Sequence, residues 1–111
     1  MEWLNFDKLK TNKDVWPKLS AKLFNSKDVT IMKYSAKKGF KFSDEGHKSE
    51  QITIVLKGKF KFSVNNKIKI MKEGDFVHIS PNEKHGGEAL TNVEGLDIFS
   101  PKRKEKKYQD Q

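Results

Sequence analysis

Between Lys59 and Ile70 the chain alternates strictly, KFKFSV and then KIKI, with only Asn65-Asn66 between the two runs. A period of two places successive side chains on opposite faces of an extended strand and does not fit a helix. Asn tolerates positive φ better than most residues, so the pair reads as a tight hairpin turn. Gln51 to Lys57 is a second clear strand, with Ile52, Thr53, Ile54 and Val55 all β-branched. Further strands are expected over Leu19–Phe24, Val29–Ala36, Phe40–Ser43, Phe76–Ile79, Gly86–Leu90 and Gly95–Phe99. Turn signals separate most of them, as in Gly58, Glu73-Gly74-Asp75 and Ser80-Pro81-Asn82-Glu83. About nine short strands and little helix imply an all-β sandwich or barrel. Residues 1–18 read as an N-terminal arm or short helix, ended by Trp16-Pro17, that packs on the body or on a partner subunit. From Pro101 the tail KRKEKKYQDQ is nearly all charged or polar and is expected to fray.

The chain has 111 residues, no internal repeat and no linker, which fits one domain spanning 1–111. It is polar, with 34% charged residues, but 8 Phe and 2 Trp supply core material. A subunit this small gains by burying surface against a copy of itself, so a homodimer is expected. There is no cysteine, which excludes disulfides, thiolate ligands and a Cys nucleophile. MEWLNFDKLK has no signal-like apolar run, and Ile52 to Leu56 is far too short to cross a membrane. The expectation is a cytoplasmic protein without a membrane partner. The net charge of +8 comes from lysines spread along the strands, with no helix-turn-helix, zinc-finger or RNA-stacking pattern. Nucleic acid is therefore not expected; most of these lysines read as a solvated surface, and the other reading of the charge is a small anionic partner.

The stretch GFKFSDEGHKSEQITIVLKG holds an acid, an imidazole and an amide at short intervals, Glu45, His47 and Gln51. A second imidazole, His85, follows a strand and a tight loop. Imidazole suits Zn, Fe, Ni and Cu, and carboxylate or amide oxygen suits harder ions. On extended backbone Glu45 and His47 point the same way, and strands of one barrel can bring all four donors together. Glu45 also fits a solvent-exposed residue of the polar run SDEGHKSE. Glu50 is one residue out of phase and turns to the other face. His78, mid-strand, reads as a packed or interface histidine. Asp97 lies between Leu96 and Ile98, and parity leaves two readings: surface residue, or cavity acid together with Phe99.

The spacing is G-x5-E-x-H-x3-Q-x6-G from Gly39 to Gly58, then, after 15 residues, G-x5-S-P-N-x2-H from Gly74 to His85. This resembles the two-motif signature of the cupin superfamily, with Glu45 at the first His position and Gln51 at the usual Glu position. EQITIVLKG, GDFVHISPNEKHG and LDIFSPKR further resemble the small KdgF-like cupins of pectin degradation, from about Leu19 to Arg103. The resemblance implies a cupin-type double-stranded β-helix, or jelly-roll barrel, in a metal-dependent dimer. It implies a divalent transition metal (Zn, Ni, Mn or Fe) held by Glu45, His47, Gln51 and His85. It also implies catalytic or substrate-binding roles for Asp97, Phe99 and Arg103, with Arg103 taking a substrate carboxylate. The implied activity is ring opening or isomerisation of a small sugar acid, a 4,5-unsaturated uronate. The alternatives are a metallo-cupin that holds a small anion without turning it over, and a metal-dependent dioxygenase.

Overall fold

The computed structural model describes residues 1–109, and residues 110 and 111 of the expected tail lie outside the described part. It contains ten strands: β1 (Asn12–Trp16), β2 (Leu19–Asn25), β3 (Thr30–Ala36), β4 (Lys41–Asp44), β5 (Glu50–Lys57), β6 (Phe60–Val64), β7 (Lys67–Met71), β8 (Phe76–Ile79), β9 (His85–Ala89) and β10 (Val93–Ser100). A six-stranded antiparallel sheet has the order β1-β2-β3-β10-β5-β8, and a four-stranded sheet the order β4-β9-β6-β7. From β3 to β6, and again from β7 to β10, successive strands switch sheets, which is the jelly-roll path. The expected all-β cupin-type fold is therefore present, as two facing sheets that do not close into one barrel. No helix of the described residues is long and apolar enough to cross a membrane.

Alternation decides what the sheets enclose. Along β5 and β10 every second residue is buried: Gln51, Thr53 and Val55 on one, and Val93, Gly95, Asp97 and Phe99 on the other. The four-stranded sheet contributes Phe60 and Phe62, and Phe40 precedes it, so much of the wall is phenyl rings. Phe60 meets Phe40, Phe42, Phe62 and Tyr34 at centroid distances of 5.5–6.4 Å, all near edge-to-face. That geometry sets the positive ring edge against a negative face.

The Asn65-Asn66 turn forms as expected, with φ of 49° and 66°. It also overturns the simple reading of the strand that follows. A two-residue loop pairs Val64 with Lys67, and so Phe62 with Lys69 and Lys61 with Ile70. Phe60, Phe62 and Val64 face inward, so Lys67 and Lys69 share their side and the isoleucines turn out. Ile68 and Ile70 are 64% and 54% exposed. Lysines on the inner side of an edge strand oppose further strand pairing there.

The structure adds detail at both termini. The arm over 1–18 holds a single 3₁₀ turn, Phe6–Lys8, and then the edge strand β1. Its alternation is broken where Asp14 takes φ 54°, and the pairing with β2 shifts register between Asn12 and Trp16. The tail does not fray over 103–109, because Arg103 and Tyr108 are 5% and 4% exposed. The Arg103 guanidinium packs on both the Phe99 and Tyr108 rings, 4.9 and 4.3 Å from their centroids, and the two rings also touch each other, centroids 5.5 Å apart. Asn25 Nδ2 donates to Tyr108 O at 2.9 Å, and Ser49 Oγ donates to Pro101 O. Charge content alone suggested solvation, yet the planar cation is apolar enough on its faces to be packed.

The Phe60 cluster holds the two sheets together, so Phe60→Ala should cost about 3–5 kcal/mol. Phe76→Ala, at a ring 70% exposed, should cost under about 1 kcal/mol. Urea unfolding followed by tryptophan fluorescence checks this, and equal losses for the two variants would contradict this core.

Candidate metal centre

The expected donors sit at one end of the space between the sheets. Asp44 ends β4 and is the cross-strand partner of His85, which opens β9. His47 follows in the loop after β4, and Gln51 is the first inward residue of β5. The ligand-type atoms of Asp44, His47 and His85 all lie within 4.8 Å of one another. The His47 and His85 rings are perpendicular, with centroids 5.0 Å apart.

Glu45 is not in this cluster. Its side chain is 84% exposed, and its nearest charge is Lys84 Nζ at 3.9 Å. The carboxylate beside the imidazoles is Asp44, one residue earlier. The cause is Gly46, which turns at φ 121° and lies so close to Asn82 that an added Cβ would overlap its carbonyl. Gly46 N donates to Asp44 Oδ1 at 2.9 Å, and Asn82 N donates to His47 O at 2.7 Å. The chain therefore does not stay extended from 44 to 47, and the rule that residues two apart share a side fails. Asp44 and His47, three apart, face in, and Glu45 faces solvent. The glycine was visible in the sequence, but its φ was not.

Hydrogen bonds orient the remaining donors. His47 Nδ1 lies 2.8 Å from Ser49 O, and His85 Nδ1 lies 2.9 Å from Glu83 O. A carbonyl only accepts, so each Nδ1 carries the proton and each Nε2 presents a lone pair. Thr53 is the cross-strand partner of Asp97, and its hydroxyl lowers the carboxyl's pKa against burial. Gln51 Nε2 donates to Thr53 Oγ1 at 2.7 Å, which aims Gln51 Oε1 at His47 Nε2, 3.0 Å away. A proton or a metal ion shared by the two would relieve the repulsion of lone pairs at that distance. Burial, and then the Arg103 charge, lower the His47 pKa, against the Gln51 hydrogen bond, which raises it. Imidazole nitrogen, carboxylate and amide oxygen are donor types that divalent transition metals take, so the chemistry of this cluster suits such an ion.

The residues expected to act on a ligand line the same cavity. Asp97 and Phe99 both face inward, with Leu96 and Ile98 on the other face of β10, which resolves the parity left open by the sequence. Asp97 is 7% exposed. Burial pushes its pKa up to about 7, against the Thr53 hydrogen bond and the Arg103 charge, which pull it down. Arg103 directs its Nε and Nη2 to the two oxygens of Glu105, at 3.1 and 3.3 Å. The cavity bounded by Asp44, Gln51, His85, Asp97, Phe99 and Arg103 measures about 40 Å³, room for an ion and a few waters. Tyr34 and Trp16 also line it, and neither was singled out from sequence. Glu50 and His78 pair with each other on the outer face at 2.8 Å, away from this cavity.

A family model described as Cupin domain matches residues 32–99. Among solved structures, an RmlC-like cupin from Shewanella frigidimarina NCIMB 400 superposes with a TM-score of 0.86 at 23% identity, over 94% of each chain. KdgF from Halomonas sp. gives 0.85 at 20% identity, over 94% of this chain and 96% of that one. Ectoine synthase from P. lautus gives 0.81 at 11% identity, over 93% and 80%. No curated protein matches the sequence significantly. At these identities the structural likenesses establish a shared fold, and the matched family model covers more than half of the sequence. The chain belongs to the cupin domain family.

Proposed function

We propose that this cupin binds a divalent metal and acts on a small sugar acid, by ring opening of a 4,5-unsaturated uronate. One observation carries the reading: an acid with a pKa near 7, Asp97, stands in the same cavity as the donor cluster of Asp44, Gln51 and His85. Asp44, His47, Gln51 and His85 are the residues that would hold the metal. A bound divalent ion supplies Lewis acidity toward a ligand oxygen.

The chain's own residues divide the remaining work. Asp97, half ionised near neutral pH, is suited both to give and to take a proton. Thr53 holds its carboxyl in place. Phe99 packs its ring against His47, centroids 5.8 Å apart, and under the Arg103 guanidinium, and so fixes both. Arg103 already accommodates a carboxylate in a forked pair, that of Glu105, and a uronate carboxylate would take the place of Glu105. The small size of the cavity favours a second reading, a metallo-cupin that binds a small anion without turning it over. Similarity to KdgF from Halomonas sp. supports the first.

Metal-loaded protein incubated with 4,5-unsaturated galacturonate should abolish the vinyl proton resonance in an NMR time course. A persistent resonance, together with ligand-induced thermal stabilisation, would favour the binding-only reading.

Asp97 also predicts a pH dependence. Its pKa is raised on folding from 3.8 to about 7, so between those values the folded chain holds a proton that the unfolded chain has released. Stability then falls as pH rises through that window and levels off above it. Asp97→Asn should remove most of this slope, a loss of a few kcal/mol in wild type between about pH 4 and 7. Urea midpoints across pH 4–8 check it, and an unchanged slope in the variant would contradict the assignment.

A further inference from the structure

Tyr34 Oη and Asp97 Oδ1 are buried side-chain atoms without a protein hydrogen-bond partner. Their residues are 3% and 7% exposed, and both line the same cavity. The strand register explains how they meet. Tyr34 on β3 is the cross-strand partner of Gly95 on β10, and Asp97 is the next inward residue of β10. Gly95 admits the hydroxyl end of the tyrosine, because a methyl built there would overlap Tyr34 Cζ and Oη. The phenol therefore lies over the β10 backbone, on the inward side that also carries Asp97. The two groups feel each other, since the Asp97 charge adds to burial in raising the Tyr34 pKa.

Packing does not call for this hydroxyl. The edge-to-face contact of Tyr34 with Phe60, centroids 6.4 Å apart, would form equally with Phe, a residue that this chain uses eight times against two Tyr. A buried hydroxyl and a buried carboxyl oxygen each carry a penalty when unmet, and native interiors meet such groups with protein or with water. The cavity of about 40 Å³ exceeds the space that one water needs.

We propose that Tyr34 Oη and Asp97 Oδ1 together hold one water molecule, and that Tyr34 is thereby a positioning residue for Asp97. The Tyr34 O–H donates to the water, and the water donates to the carboxylate. With Asp97 ionised, only a group that both accepts and donates satisfies this pair, as water or an alcohol does. The bridge fixes Oδ1 from the β3 side, as Thr53 holds the carboxyl from β5. It stands whether or not the cavity turns a substrate over.

Tyr34→Phe tests the bridge, with thermal unfolding and the Asp97 titration midpoint, followed by carbonyl-carbon NMR, as readouts. Loss of the bridge should lower the Tm by several degrees and move the midpoint upward, because the carboxylate loses a donor. A Tm that is unchanged or higher, with an unmoved midpoint, would overturn the proposal. A lower Tm with an unmoved midpoint would also overturn it, since that is what a purely structural hydroxyl gives. A crystal structure of the wild-type chain reads the same point even if the variant does not fold. Density for a water oxygen within hydrogen-bonding distance of both atoms is expected, and its absence would reject the bridge.

Discussion

Gln51, Thr53, His85 and Asp97 are buried between two sheets whose inner walls are largely aromatic. Placing polar groups there is unfavourable unless each is paired, and this requirement shapes the site more than any single contact. The pairing runs in one direction. Asp97 accepts from Thr53, Thr53 accepts from Gln51, and the amide oxygen left over at Gln51 is presented to His47. Backbone carbonyls of Ser49 and Glu83 fix the two imidazoles so that their remaining nitrogens also present lone pairs. These pairings orient a cluster of donors suited to a cation.

The same arrangement links the metal end of the cavity to the acid end. Thr53 stands between Gln51 and Asp97, so a cation bound near Gln51 would polarise a chain of hydrogen bonds that ends on the carboxyl. Arg103 is held by packing on the Phe99 and Tyr108 rings and by its fork to Glu105. A segment that composition marks as solvated becomes part of the cavity wall, because the aromatic faces and the guanidinium plane match.

Much of this was legible in the sequence, for reasons that can be named. Alternation and the Asn65-Asn66 pair identify the β6–β7 hairpin, and spacing identifies His47, Gln51 and His85 as residues of one site. Two of the missed features share one cause, a local backbone angle that no residue pattern prints. Positive φ at Gly46 exchanges Glu45 for Asp44, and positive φ at Asp14 hides the edge strand β1. The hairpin parity that turns Ile68 and Ile70 outward was available from the two-residue loop. The burial of Arg103 was not, because it depends on rings from distant strands.

The exchange of Asp44 for Glu45 is the sharpest point on which the account stands. Metal content of protein purified from metal-replete culture, by inductively coupled plasma mass spectrometry, tests it in three samples: wild type, Asp44→Ala and Glu45→Ala. The account predicts about one divalent ion per chain in wild type and in Glu45→Ala, with a large loss in Asp44→Ala. Loss in Glu45→Ala with retention in Asp44→Ala, or a metal-free wild type, would contradict it.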